Sequence, residues 1–247
     1  MDSSAFSTPS PSPSPSSTQL LLPNERVRSL TEPVKEISHN NFWIFGYGSL
    51  IFKPPPDVEM AVPGYISGYI RRFWQKSHDH RGTPTAPGRV VTLIEREYWE
   101  TLDDPHAKFE RPDSRTWGVA YKIIPEKVRH VSAVLDLREQ NGYTVHLVPF
   151  SPSKSASSPL STIPTIVYIG TPDNDAFAGV EADLDGLAKL ILTSKGPSGY
   201  NKEYLFKLGD ALVDLHGRDG EEDDYHVVDL VRRVKSLEVV EGEIIDN

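Results

Sequence analysis

The stretch Phe42-Trp43-Ile44-Phe45-Gly46-Tyr47-Gly48-Ser49-Leu50 decides the fold of this chain. Its first four residues are apolar and mostly aromatic, and a glycine ends the run, as is typical of a short buried strand. The two glycines let backbone N–H groups approach a ligand, because glycine has no Cβ atom. The stretch therefore predicts a core strand followed by a loop that can hold an anion or a carbonyl oxygen.

This 47–50 loop matches neither of two common functional loops. A phosphate-binding P-loop needs a later glycine–lysine–hydroxyl signature, which the sequence lacks. A serine-hydrolase elbow needs serine where Gly48 stands, so a nucleophilic role for Ser49 is disfavoured. Taken by itself, the loop also fits an ordinary turn at the end of a strand.

Composition and charge exclude several classes of function. The chain has 247 residues, of which 38% are hydrophobic, and this is enough for an ordinary packed core. It has 26 Lys and Arg residues against 35 Asp and Glu residues, a net charge of −9, and no basic run, so nucleic acid is not an expected partner. Because the chain has no cysteine, a thiol nucleophile, a thiolate metal site and disulfides are excluded.

The sequence predicts a single domain at 41–238 between two tails. Residues 1–40 form a Ser/Pro-rich segment that we expect to be disordered, and residues 239–247 form an acidic tail. The chain does not start with a basic region and an apolar run, and the leucines at 20–22 are too few to cross a bilayer. We therefore expect a cytoplasmic protein without a membrane partner. The sequence does not indicate an oligomeric state.

Strands are predicted mainly in the first two-thirds of the chain and helices mainly in the last third. Besides the opening strand, runs of β-branched and aromatic residues predict strands at 64–74, 89–95, 116–123, 143–149 and 165–170. Apolar residues at helical spacing predict helices at 125–141, 181–194, 202–215 and 225–237. Because strands and helices do not alternate regularly, we predict an α+β fold with a curved, barrel-like mixed sheet flanked by helices. Two insertions, 97–115 and 151–164, are predicted to be surface excursions.

Glu139 is a candidate for proton transfer. It lies near the end of the helix predicted at 125–141, where the helix dipole disfavours negative charge, so partial burial would favour its protonated form. Such a carboxyl group suits acid–base chemistry near neutral pH. From the residues alone, a solvated glutamate paired with a neighbouring base is the simpler alternative.

Two further motifs have structural alternatives. The run His78-Asp79-His80 contains metal-ligand types, but no third ligand is recognisable, so we favour a surface loop and expect no metal. Arg72 is a candidate for binding a carboxylate through its guanidinium group. It equally fits a strand residue whose stem covers aromatic rings.

From residue 42 to 215, the chain resembles the ChaC-type γ-glutamylcyclotransferases, because six blocks occur in the order of that family. The blocks are the opening stretch; Gly68-Tyr69 with Arg71-Arg72-Phe73-Trp74-Gln75; His80-Arg81-Gly82 with Pro87-Gly88-Arg89-Val90-Val91-Thr92-Leu93; Trp117-Gly118-Val119-Ala120-Tyr121; Arg138-Glu139 with Gly142-Tyr143; and Gly196-Pro197-Ser198-Gly199-Tyr200-Asn201 with Glu203-Tyr204-Leu205. Each block is short enough to occur by chance, but six in the right order are specific.

The resemblance implies cleavage of glutathione to 5-oxoproline and cysteinylglycine without a cofactor. In this reaction the substrate's own α-amine attacks its γ-carbonyl, so the enzyme must only fold the substrate, transfer protons and stabilise charge. Glu139 matches the catalytic glutamate of the family. The resemblance also implies substrate contacts, more securely for the loop than for the arginine, at Tyr47, Gly48, Ser49, Leu50, Arg72, Tyr143 and Tyr204.

Two alternatives to this function stay open. The first is the same cyclisation on another γ-glutamyl substrate, such as a γ-glutamyl dipeptide or a γ-glutamylamine. The second is a non-catalytic module that keeps the fold and binds a γ-glutamyl metabolite. Glu139 argues against the second alternative, because a binding module needs no proton-transfer group.

Overall fold

The computed structural model describes residues 26–27, 39–113, 115–138, 142–154, 156, 162–219 and 224–245. The strands are β1 (Arg26–Val27), β2 (Trp43–Gly46), β3 (Val58–Ser67), β4 (Tyr69–Ser77), β5 (Gly88–Glu95), β6 (Arg115–Ile123), β7 (Thr144–Pro152), β8 (Ile163–Ile169), β9 (Lys195–Gly196) and β10 (Gly199–Tyr200). The α-helices are α1 (Ser49–Phe52), α2 (Arg96–Trp99), α3 (Val128–Arg138), α4 (Leu184–Thr193), α5 (Asn201–Asp219) and α6 (Tyr225–Ile245).

Five strands close into a barrel. The sheet order is β1-β7-β3-β6-β2-β8, and β8 also pairs with β7, so β7, β3, β6, β2 and β8 form a ring. The β2–β8 pair is parallel, with Ile44 opposite Ile166, and the other pairs of the ring are antiparallel. Ring closure gives each of these strands two partners and so leaves no free edge in the ring. The predicted α+β fold with a barrel-like mixed sheet flanked by helices is confirmed.

The opening strand β2 connects two hydrophobic cores. Side chains alternate between the two faces of a strand, so Trp43 and Phe45 pack into the core that contains residues of α4, α5 and α6. Phe42 and Ile44 pack into the other core, against the apolar face of α3. The first four residues of the opening stretch are therefore all buried, which explains why the run is apolar at every position.

One predicted strand is wrong in extent. Residues 64–74 do not form a single strand, because the chain turns at Gly68, whose φ is +85°. This backbone conformation favours glycine, and it separates β3, which belongs to the barrel, from β4. Strand β4 instead pairs with β5 in a separate two-stranded sheet.

The helices begin close to their predicted positions, and two of them are longer than predicted. The helix predicted at 202–215 continues to Asp219 as α5, and the helix predicted at 225–237 continues to Ile245 as α6. Helix α4 is capped by Asp183, whose Oδ1 accepts a hydrogen bond from the Gly186 N–H at 2.9 Å. Of the helices in the described ranges, none is both long and apolar enough to span a bilayer.

The two predicted tails are only partly described. Of the predicted tail at 1–40, residues 1–25 and 28–38 lie outside the described residues, and Arg26–Val27 pairs with β7 as strand β1. Most of the predicted acidic tail at 239–247 is the last part of α6.

The insertion at 97–115 does not lie wholly on the surface. Trp99, Asp104 and His106 are all buried, although much of the segment around them is exposed. The prediction of a surface excursion is therefore wrong for these three side chains, which pack against β4 and α6 as described below.

Candidate active site

A pocket of about 240 Å³ opens at the end of the barrel where β2 ends and β7 begins. Six of the seven predicted substrate-binding residues line this pocket, and they come from the loop after β2, the start of β7 and helix α5. They are Tyr47, Gly48, Ser49, Leu50, Tyr143 and Tyr204. The fold therefore brings together residues that lie far apart in the sequence.

The charge of this pocket suits an anionic ligand. Four cationic side chains line it, and these are Lys53, Lys76, Arg81 and Arg138. The one carboxylate among the described lining residues is Asp79. A second cavity of about 360 Å³ contains none of the predicted residues, and its ionised side chains include two carboxylates, Glu95 and Asp173. A substrate with two carboxylates is better matched by the first pocket.

Tyr121 holds the 47–50 loop in place. Helix α1 is followed after one residue by prolines at 54–56, which have no N–H group to donate to the last carbonyl groups of the helix. The Tyr121 hydroxyl group takes this role by donating to the Leu50 carbonyl at 2.8 Å, and it lies 3.4 Å from the Ile51 carbonyl. Burial raises the pKa of Tyr121, so its hydroxyl group remains a donor.

The position of Gly48 requires glycine because two side chains approach it closely. A Cβ atom at Gly48 would lie 2.9 Å from the Tyr204 hydroxyl oxygen and 2.9 Å from Val91 Cγ2. The ring of Tyr204 is fixed by edge-on contacts with Phe52 and Phe73. The hydroxyl group of Tyr204 is therefore held directly against the loop.

The other hydroxyl groups near the loop tie it to the barrel and to α3. The Tyr47 hydroxyl group donates to the Tyr168 carbonyl at 2.8 Å, and the Tyr168 hydroxyl group donates to Asp136 Oδ1 at 3.0 Å. Arg138, the last residue of α3, donates from Nη2 to Ser49 Oγ. The hydroxyl proton of Tyr47 is therefore used to hold the loop.

Glu139 lies outside the described residues, as do the two residues that follow it. Arg138, which comes directly before it, and Tyr143, which follows four residues after it, both line the pocket. The position of the Glu139 side chain remains a prediction.

Arg72 is the one predicted substrate-binding residue that does not line the pocket. Its side chain is 1% exposed and forms ion pairs with Asp104 at 2.7 Å and with Glu110 at 2.8 Å. Although burial favours the neutral acid, the Arg72 guanidinium and two hydrogen-bond donors hold the pKa of Asp104 below its usual range. The structure therefore assigns Arg72 to the attachment of the 97–115 insertion rather than to the substrate.

Two buried histidines lie beside Arg72 and connect the insertion to α6. The Phe73 N–H donates to His226 Nε2 at 3.1 Å, so a neutral His226 has its proton on Nδ1, which lies 2.8 Å from His106 Nδ1. His106 Nε2 then donates to Asp229 Oδ2 at 3.1 Å. Burial lowers the pKa of both histidines, and nearby arginines lower that of His226 further.

Sequence reasoning missed one wall of the pocket. We favour a surface loop for the run 78–80 and predict no site role for Arg81, yet His80 and Arg81 both line the pocket together with Ser198. The sequence did contain a signal for this wall, because His80-Arg81 and Ser198 lie in two of the six blocks that match the family in order. Within the described ranges, no group of three or more His, Asp or Glu side chains is arranged to hold a metal ion.

A closed mixed barrel with a cationic, metabolite-sized pocket at one end is the fold and site of a γ-glutamylcyclotransferase-like protein. The family model for the ChaC-like protein matches residues 42–237. The chain belongs to this ChaC-like family.

Named relatives agree with this assignment. The chain is 41% identical over 195 residues to a glutathione-specific γ-glutamylcyclotransferase of Schizosaccharomyces pombe. The aligned region covers 79% of this chain and 93% of the relative. The chain is also 42% identical over 204 residues to the protein of the same name in Saccharomyces cerevisiae, and this aligned region covers 72% of this chain and 88% of the relative. A crystal structure of a yeast γ-glutamyl cyclotransferase specific to glutathione matches with a TM-score of 0.70 at 40% identity, covering 79% of this chain and 96% of that one.

Proposed function

We propose that this protein is a glutathione-specific γ-glutamylcyclotransferase, which converts glutathione to 5-oxoproline and cysteinylglycine. The observation that supports this proposal best is the cationic pocket formed by the 47–50 loop, Tyr143 and Tyr204. Relatives that cover most of the chain and share about two-fifths of their residues with it bear this activity in their names.

The 47–50 loop is our proposed site for the γ-glutamyl group. Cyclisation requires the α-amine to fold back onto the γ-carbonyl carbon, so the enzyme must hold both ends of this group in a bent conformation. Backbone N–H groups at Gly48 and Ser49 are suited to stabilise the oxyanion that forms on the γ-carbonyl oxygen. The anchoring of the loop by Tyr47 and Tyr121 means that little reorganisation is needed during the reaction.

Proton transfer must balance in this reaction. The attacking nitrogen begins as an ammonium group and ends as the lactam N–H, so it loses two protons. The carbon–nitrogen bond to cysteine breaks, and the departing nitrogen gains two protons to become the ammonium group of cysteinylglycine. One carboxyl group that alternates between base and acid can perform these transfers, and we assign this role to Glu139.

The position of Glu139 in the sequence supports this assignment. The residue before it is tied to Ser49 of the loop, and Tyr143, a few residues after it, lines the same pocket. We therefore expect a carboxyl group on this short connection to reach a substrate that lies against the loop.

The choice of glutathione over other γ-glutamyl compounds is testable by direct comparison. Purified protein should release equimolar 5-oxoproline and cysteinylglycine from glutathione, and turnover of γ-glutamyl dipeptides and γ-glutamylamines should be much slower. Equal or faster turnover of the dipeptides would contradict glutathione specificity while keeping the cyclisation.

Inactivity on every γ-glutamyl compound, with retained binding of glutathione, would favour the non-catalytic alternative. Stoichiometric labelling of Ser49 by an active-serine phosphonate would favour a serine hydrolase instead. The cytoplasmic location stays a prediction from the sequence, which subcellular fractionation would test.

A further inference from the structure

One wall of the pocket has no role in the cyclisation as described. It combines the turn that follows β4 with the hairpin of β9 and β10, and we call it the Arg81 wall, defined by Ser77, His80, Arg81 and Ser198. The turn and the hairpin are more than 100 residues apart in the sequence, and each belongs to one of the six ordered blocks.

Close backbone packing fixes the Arg81 wall. A Cβ atom on Gly82 would lie 2.1 Å from the Gly88 nitrogen, and one on Gly196 would lie 2.3 Å from the His80 carbonyl oxygen. The Ser198 N–H donates to the same His80 carbonyl at 2.9 Å. The turn and the hairpin are therefore in direct backbone contact, so the wall is built before a ligand arrives.

Arg81 is positioned by the end of β10 and the first turn of α5, and these contacts use only one of its three nitrogen atoms. Its Nη1 atom donates to the Tyr200 carbonyl at 2.9 Å and lies 3.5 Å from Glu203 Oε2, and its side chain is 12% exposed. All its hydrogen bonds with residues in the described ranges use Nη1, so Nε and Nη2 are the donors left for a ligand. An arginine with two such donors can bind a carboxylate in bidentate fashion.

Tyr204 sets the distance between the loop and Arg81. Its hydroxyl group lies against Gly48, and the guanidinium carbon of Arg81 lies 6.0 Å from the centre of its ring. The loop and Arg81 therefore contact the same tyrosine side chain, Gly48 at its hydroxyl end and Arg81 at the face of its ring. Two extended residues span about 7 Å, the scale of such a side chain, whereas one residue spans only about 3.5 Å.

We propose that Arg81 binds the terminal carboxylate of the departing dipeptide and so selects a tripeptide over a γ-glutamyl dipeptide. This inference rests on the proposed function, because the loop must hold the γ-glutamyl end for the dipeptide to extend towards Arg81. A γ-glutamyl dipeptide has only one residue after the γ-glutamyl group, so its terminal carboxylate is too close to the loop to reach the guanidinium group. Lys76, which lines the same pocket, adds positive charge.

The test compares glutathione with its glycinamide analogue, in which the terminal carboxylate is replaced by an amide. For the wild type, kcat/KM should fall about 10- to 100-fold from glutathione to the analogue, the range of a hydrogen bond to a charged group. Arg81→Met should lower kcat/KM for glutathione by a similar factor and leave the analogue nearly unchanged. Arg81→Lys should keep part of the preference, because it keeps the charge but loses the fork of donors.

Arg129→Met is the matched control, because Arg129 is exposed on α3 and does not line the pocket. This control should keep the full preference of the wild type. Equal losses on both substrates in Arg81→Met would overturn the proposal, since they would indicate a structural role for Arg81. A wild type that does not distinguish the two substrates would also overturn it.

Binding measurements separate this proposal from the proposed function. If the wild type turned over no γ-glutamyl compound, the proposed function would fail, and calorimetric affinities for glutathione and the analogue would still test Arg81. A preference for glutathione that is lost in Arg81→Met supports the carboxylate site, and equal affinities overturn it. If Arg81→Met does not fold, a reduced preference in Arg81→Lys supports the site and an unchanged preference overturns it.

Discussion

Removal of a single hydroxyl group, in Tyr121→Phe, should loosen the loop that forms one side of the pocket. The hydroxyl group donates to the Leu50 carbonyl at 2.8 Å, and proline at 54 has no N–H group to donate to this carbonyl in its place. The variant keeps the ring, which is 3% exposed, so the packing of the core should not change.

The expected cost follows from the loss of one buried hydrogen-bond partner. A buried carbonyl group left without a donor costs about 1–3 kcal/mol in the free energy of unfolding. With a urea m-value of about 2 kcal/mol/M, a loss of about 2 kcal/mol lowers the unfolding midpoint by about 1 M. Because Leu50 belongs to the proposed substrate loop, kcat/KM for glutathione should fall as well.

Urea unfolding followed by circular dichroism measures the first effect, and release of 5-oxoproline measures the second. Tyr65→Phe is the matched control, because the Tyr65 ring packs against Trp117 while its hydroxyl group makes no hydrogen bond with the described residues. The control should change neither quantity by much. An unchanged midpoint and unchanged kcat/KM in Tyr121→Phe would refute the role of this hydrogen bond.

Three further predictions concern the pocket and the buried charges. In Gly48→Ala, the added methyl group meets the Tyr204 hydroxyl group at 2.9 Å, so kcat/KM should fall at least tenfold, and the overpacking should lower the free energy of unfolding by about 1–3 kcal/mol; full activity would contradict this. In Arg72→Met, Asp104 loses its buried partner, so the free energy of unfolding should fall by about 3–5 kcal/mol, and a change under 1 kcal/mol in urea unfolding would show that the ion pair is not needed. Because burial holds the pKa of His226 well below its ordinary value near 6.5, the folded state binds fewer protons than the unfolded state in acid. The contribution of His226 to stability should therefore be constant above about pH 6.5 and fall below it by up to about 1.4 kcal/mol per pH unit, and urea midpoints that do not change between pH 7.5 and 5.5 would contradict this.

Strands β6 and β8 were predictable because each is rich in β-branched and aromatic residues. Predictions at 116–123 and 165–170 differ from β6 and β8 by no more than two residues at either end. The order of the strands was not predictable, since pairing between β2 and β8 joins segments more than 100 residues apart. The break at Gly68 was missed because a glycine with positive φ inside an apolar run has no other local signal.

In the candidate site, too, features set by local sequence were predictable, whereas contacts between distant parts of the chain were not. The 47–50 loop was recognisable from its glycines, whereas Tyr143 and Tyr204 followed only from the family resemblance. Arg72 was misplaced because its partners, Asp104 and Glu110, belong to the 97–115 insertion, which lies outside the matched blocks. Nothing in the local sequence predicts ion pairs between an insertion and a strand 30 or more residues away.

The assay that tests the central claim most directly compares wild-type protein with Glu139→Gln on glutathione, with 5-oxoproline and cysteinylglycine both quantified. The substitution keeps the size of the side chain and removes its ability to exchange protons. Glu126→Gln is the matched control, because Glu126 is exposed just before α3 and does not line the pocket. We predict equimolar products from the wild type and the control, and none from a folded Glu139→Gln protein that still binds glutathione. Full activity in Glu139→Gln would contradict the account.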